Sequence, residues 1–383
     1  MPVLLALGFR PFFLLAGWFA IFLMAVWVPG FLGVLPVTTY YGELGWHSHE
    51  MIFGYTVAVA GGFLFTAVRN WTAAPTPAGG YLALLAALWL GGRILPLLPN
   101  TFPGWLTALV DLLFLPLVVL GVGVPLVRAG EKRNLIFLLI LAVLFIGNSL
   151  VHLDLWGYGQ HGRRGTFLGL HLILLLIVIM GGRVIPFFTE RALQGVVIKR
   201  RAVIEWLAPI SVLAFLCAEL FVPGGLVGGA CAALAAVVNG VRLASWYTNR
   251  FWRVPLLWVL HLGYGWLVVG FCLAAAAPLQ LIPPQFGVHA FTVGGIGVLT
   301  LGMMARVSLG HTGRPLKVGP AMAVAFGLIN LAAFLRALLP IWYPQRLSEF
   351  VIFSGIFWSV AFLIFVVIYM PILTQRRIDG RPG

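Results

Sequence analysis

The chain has 383 residues, of which 61% are hydrophobic and 9% charged, against roughly 45–50% and about 25% in soluble domains, so a water-soluble fold is excluded. A formal net charge of +14 would suggest nucleic acid in a soluble protein. Here the basic residues are scattered over many short loops and form no continuous stripe, which points to membrane topology and argues against a nucleic-acid partner.

Apolar runs of about twenty residues predict transmembrane helices near 12–34, 51–68, 79–98, 105–127, 134–153, 167–186, 203–222, 224–245, 254–277, 286–305, 318–340 and 350–373. The fold class is therefore all-α, a polytopic membrane protein of about twelve spans. The first run, from Phe12 to Gly33, is long enough to span and lacks a small-residue cleavage site after a basic start, so it is expected to stay as the first helix. No long hydrophilic insert interrupts the pattern, and residues 1–383 read as a single transmembrane domain.

Lys and Arg alternate from loop to loop. The amino terminus, the loops after spans 2, 4, 6, 8 and 10 and the carboxy terminus together hold 19 of the 24 basic residues. The positive-inside rule then places both termini in the cytoplasm, with the stretch 35–50 outside. The ends of spans 6 and 10 read GGRVIPFFT and MARVSLGHT, and the end of span 2 reads AVRNWT. Three similar ends at intervals of four helices would suit three successive four-helix units.

In chain order, the chemistry-bearing residues begin with WHSHEM, Trp46 to Met51. His47 and Met51 lie four apart and share a helical face, whereas His49 shares a face with Phe53. Glu50 beside them could accept a hydrogen bond from an imidazole and orient it. Asp111, in span 4, could carry protons, balance a cation or pair with a base such as Arg93. Asn148 and His152 on span 5 are four apart and face the same neighbour, as ligands or as inter-helix polar contacts. His161 lies in the next outer loop, and His171 and His289 fall in the outer halves of spans 6 and 10. On span 9, His261 is followed by Gly265 one turn on, which leaves room for a close helix or a flat ring, and His311 falls in an inner loop. The three cysteines, Cys217, Cys231 and Cys272, sit in apolar runs with no CxxC or CxxCH spacing, against a covalent c-type haem or a thiolate zinc site.

A histidine inside a bilayer is costly unless paired, hydrated or bound to a metal. Several segments bringing imidazole to one side suit metals with an imidazole preference, such as haem iron and copper. The expected ligands are His47, His49 and His289, followed by His152 and His261.

Six motifs carry a family resemblance: FRPFF from Phe9, WHSHEMIFGY from Trp46, NWT from Asn70, GGRVIPFFT from Gly181, LHLGYGW from Leu260 and RVSLGHTGRP from Arg306. Together they resemble the NnrS family of bacterial membrane proteins, from span 1 to the loop after span 10. The resemblance implies a twelve-helix inner-membrane protein that contains haem, of the non-covalent b type here, and copper, and that relieves nitric oxide stress. Histidines on spans 2 and 10 are also similar to the catalytic subunits of haem-copper oxidases and nitric oxide reductases, but no His-His pair occurs in this chain, so an oxidoreductase activity on nitric oxide is left open. The rival reading is a secondary transporter of a metal, a metal-nitrosyl complex or a small anion, which twelve helices with broken spans also suit.

Overall fold

The computed structural model describes residues 2–380. Among them no strand occurs, and twelve helices are long and apolar enough to cross a membrane. They are α1 (Phe9–Phe31), α2 (Glu43–Thr72), α3 (Gly80–Leu97), α4 (Gly104–Arg128), α5 (Lys132–Leu155), α6 (Gly162–Ala192), α7 (Ala202–Phe221), α8 (Leu226–Ser245), α9 (Pro255–Leu279), α10 (Pro284–His311), α11 (Pro320–Trp342) and α12 (Pro344–Thr374). The protein thus spans a lipid bilayer.

Two boundaries differ from the expected spans in a way that matters. The helix α2 begins at Glu43, so His47 and His49 are both helical, and α10 runs on to His311, which closes a helix and does not lie in a loop. Hydropathy marks only the part of a helix that meets hydrocarbon, whereas the polar turns beyond it keep their backbone bonds satisfied by staying helical.

Both α2 and α10 contain a π-helical stretch, Glu50–Thr56 and Ala290–Gly297, directly after a histidine, His49 and His289. A wide turn inserts an extra residue and rotates the face that precedes it relative to the face that follows. In α2 the stretch buries Glu50, Ile52 and Phe53 to Thr56, so an acid enters the interior together with the apolar side.

The chain packs as two compact units. Unit 1 comprises Met1–Leu170, Met304–Pro315 and Phe365–Gly383; unit 2 comprises His171–Met303 and Leu316–Ile364. This division cuts across the boundaries that three successive four-helix units would have.

In unit 1, α1 lies along α2, with Phe9, Phe12 and Phe13 fully buried, and α4 packs against both α3 and α5. The FRPFF arginine closes this unit: fully buried Arg10 donates from Nη1 to the carbonyls of Leu373 (2.8 Å) and Gln375 (2.9 Å). Those acceptors belong to the end of α12, whose last carbonyls have no partner within the helix. RVSLGHTGRP caps the same region, where Ile378 N–H donates to the Thr312 carbonyl and Arg377 to the His311 carbonyl.

In unit 2, α7, α8 and α9 pack successively, and α9 and α11 flank the π-helical stretch of α10. The GGRVIPFFT and LHLGYGW motifs meet at one buried group. Arg242 donates to the Val178 carbonyl (2.8 Å) and to the Tyr264 hydroxyl (3.1 Å), and it pairs with Glu205. The Tyr264 hydroxyl in turn donates to Asn239 Oδ1 at 2.6 Å. Gly182 is required here, because a Cβ at that position would collide with the Arg242 guanidinium.

Candidate metal centre

In unit 1 the starts of α2 and α4 and the ends of α3 and α5 bring five ionisable side chains and one amide together. His49, Asp111 and His152 are all buried, and one ligand atom from each lies within 4.8 Å of the other two. Asp111 is the hub. Its Oδ2 accepts from Asn148 Nδ2 at 2.7 Å and lies 3.2 Å from His152 Nε2 and 3.4 Å from His49 Nε2, while its Oδ1 is held by Arg93. Arg93 Nε also lies 3.1 Å from Glu50 Oε2.

The local sequence explains why each side chain arrives. The four-residue spacing of Asn148 and His152 puts both on one carboxylate oxygen. His49 meets the Phe53 ring at 5.3 Å, as their spacing on α2 requires, and its Nδ1 lies 3.1 Å from Glu50 Oε1. Gly54 leaves room for the ion pair, since a Cβ there would fall 2.5 Å from Arg93 Nη1 and 2.6 Å from Glu50 Oε2. On the α3 side, Trp89 Nε1 donates to the Gly54 carbonyl at 3.0 Å.

Two tyrosines of the segment between α1 and α2 complete the enclosure. Tyr41 stacks on the His49 ring at 4.0 Å and 20°, and its hydroxyl has no hydrogen-bond partner. Tyr40 places its hydroxyl 3.3 Å from His152 Nδ1. Burial pushes the Tyr40 phenol up to about 12, with the Asp111 charge adding to the rise, and burial raises Tyr41 well above its ordinary value. Both are therefore neutral near pH 7, so Tyr40 can donate to His152 Nδ1, leaving His152 Nε2–H to face Asp111.

Charge and hydrogen-bond direction together say what the group lacks. Two carboxylates face one guanidinium, which leaves one negative charge inside a membrane protein, and such an excess is expensive. Asn148 must donate from Nδ2 to Asp111, so its Oδ1, 2.8 Å from His49 Nε2, is an acceptor. His49 then faces an acceptor on each ring nitrogen, Asn148 Oδ1 and Glu50 Oε1. A proton on both nitrogens satisfies that arrangement, and a cation held between His49, Asp111 and His152 would satisfy the charge equally.

As a donor set, two imidazoles and a carboxylate suit a copper, zinc or iron ion. His49 does not suit a haem iron, because both of its ring nitrogens are engaged. Among the other histidines, His261 is one that could ligate a haem iron. Its Nδ1 is anchored on the Leu257 carbonyl at 2.9 Å, its ring lies parallel to Phe251 at 4.2 Å, and its buried Nε2 has no hydrogen-bond partner. Donating Nδ1–H to a carbonyl sets the tautomer that leaves Nε2 as the ligating atom.

The remaining expected ligands are not members of the His49–Asp111–His152 set. His47 stacks on Trp27 at 4.0 Å, in unit 1 but outside the His49–Asp111–His152 set. In unit 2, His289 is partly exposed and holds its Nδ1 2.6 Å from the Gln285 carbonyl. Also in unit 2, His171 packs edge-on against Phe215 at 4.9 Å.

Tyr40 and Tyr41 escaped sequence reasoning, since the short segment between α1 and α2 has no periodicity that assigns its side chains to a site. The Arg242–Glu205 pair escaped it as well.

A family model described as NnrS protein matches residues 3–377, nearly the whole chain. No curated protein matches it.

Proposed function

The chain belongs to the NnrS family, and from that premise we propose that it is a haem- and copper-binding inner-membrane protein that relieves nitric oxide stress. The observation that carries the reading is the buried His49–Asp111–His152 set, in which one ligand atom from each residue lies within 4.8 Å of the others. Copper is assigned to this set and haem to His261, with His47 and His289 kept as further candidates for either metal. Both termini are assigned to the cytoplasm, supported by the bias of basic residues.

When bound, the haem would supply an iron that takes the small uncharged ligand nitric oxide, and the copper a one-electron partner. The chain's own residues do the rest. Arg93 holds Asp111 by Oδ1 and Glu50 by Oε2, so each carboxylate presents a fixed oxygen to an imidazole. Asn148 and Tyr40 orient the two imidazoles, and Tyr41 keeps water off the His49 face. A cation held between them would take the place of the second proton of His49.

Purified protein is expected to contain copper and to show a haem absorption that shifts on adding nitric oxide after dithionite reduction. His49→Ala should lower copper alone, and His261→Ala haem alone. Protein with neither metal would contradict the reading.

A second reading is favoured by the same buried ion pairs lying on a helix interrupted by a wide turn: a secondary transporter coupled to protons, for a metal, a metal-nitrosyl complex or a small anion. Uptake of cargo into proteoliposomes from which haem has been removed would favour it.

A further inference from the structure

Where α6 ends and α7 begins, unit 2 opens into a pocket of about 640 Å³. Its lining includes Lys199, Arg201, Glu205, Ser245, Tyr247 and Thr248, with the backbone of residues 195–198 between them. The place is a membrane boundary, because α6 ends at Ala192, α7 starts at Ala202 and α8 ends at Ser245.

Charge in the pocket is one-sided. Glu205 is taken by Arg242, which is 3% exposed, and Arg200 is taken by Glu190 at 3.3 Å. Lys199 and Arg201 are exposed and form no ion pair among the described residues. Arg201 also precedes the first turn of α7, whose N–H groups have no partner within the helix. Two unneutralised cations, two hydroxyl side chains and a phenol around one concavity suit a phosphate group. Orientation of the chain accounts for the sign of these residues, but a topology signal needs no concavity.

Below the pocket the surface is apolar. Val203, Trp206 and Ile210 on α7 and Val237 and Val241 on α8 are all exposed, and Val241 also lines the pocket. Trp206 and Tyr247, exposed beside the pocket, are the amphipathic rings that settle at headgroup level.

We propose that this pocket seats the phosphate of an anionic phospholipid headgroup, held by Lys199 and Arg201, with the acyl chains on the exposed faces of α7 and α8. Basic pockets between helices at this level recognise such headgroups. The site lies wholly in unit 2 and does not depend on the metal reading.

Native mass spectrometry of the full chain in detergent tests it, with phosphatidylglycerol, phosphatidylethanolamine and inorganic phosphate as probes. The wild-type protein is expected to retain one phosphatidylglycerol in preference to phosphatidylethanolamine, and Lys199→Gln with Arg201→Gln to weaken that retention roughly thirtyfold. Arg128→Gln with Lys132→Gln, which removes as much charge from another loop, should leave it unchanged. Retention unaffected by the first pair, or lowered equally by the second, would overturn the site. Binding of inorganic phosphate with no preference for the anionic lipid would overturn the lipid as its source.

Discussion

Each unit buries an arginine against a carboxylate, yet the two groups are built to different ends. In unit 2, Arg242 meets one acid, Glu205, and its other donors go to a backbone carbonyl and a tyrosine hydroxyl, so charge is balanced and no imidazole takes part. In unit 1, Arg93 meets two acids, and two imidazoles and an amide converge on the same oxygens. A balanced pair is complete as it stands and serves packing. A second acid beside two imidazoles calls for a further positive charge, which a second proton on His49 or a bound cation supplies, and the fold keeps the group out of contact with water.

Breaking the two groups should therefore have unequal costs. Arg93→Ala strands two buried carboxylates and is expected to lower stability by ~3–5 kcal/mol, read as a lower unfolding temperature in detergent or as loss of folded protein. Arg242→Ala strands only Glu205, whose side chain is 25% exposed, so its loss should be the smaller of the two in the same assay. Gly182→Ala tests the unit 2 group from the other side: crowding the guanidinium should cost about 1–3 kcal/mol while leaving bound metal at the wild-type ratio. Tyr40→Phe sharpens the contrast at the small end. It removes one hydrogen bond to His152, worth ~0.5–1.5 kcal/mol, and should leave the metal in place, as equilibrium unfolding and elemental analysis would show.

Much of this architecture was legible in the residues. Twelve apolar runs marked twelve helices, and helical spacing alone paired Asn148 with His152 and His49 with Phe53. Arg93 was a reasonable partner for Asp111 because one lies near the end of α3 and the other near the start of α4, the span that follows. That His49 would reach Asp111 and His152 was not legible. Periodicity says which residues share a face of one helix and nothing about which faces of different helices meet. The wide turn after His49 added to the difficulty, since it places Glu50 inward where a regular helix would have turned it elsewhere. His289, ranked with His49 from its outer position, lies beside an equivalent turn but in the other unit, with its Nδ1 on its own helix's carbonyl.

The central claim, a metal ion held by His49, Asp111 and His152, is tested most directly by X-ray absorption at the copper edge on purified protein, beside the His49→Ala and His152→Ala variants. The account predicts a copper ion with two imidazole nitrogens and a carboxylate oxygen in the wild-type protein, and its loss in both variants. A folded wild-type protein without copper, or a copper signal that survives both substitutions unchanged, would contradict it.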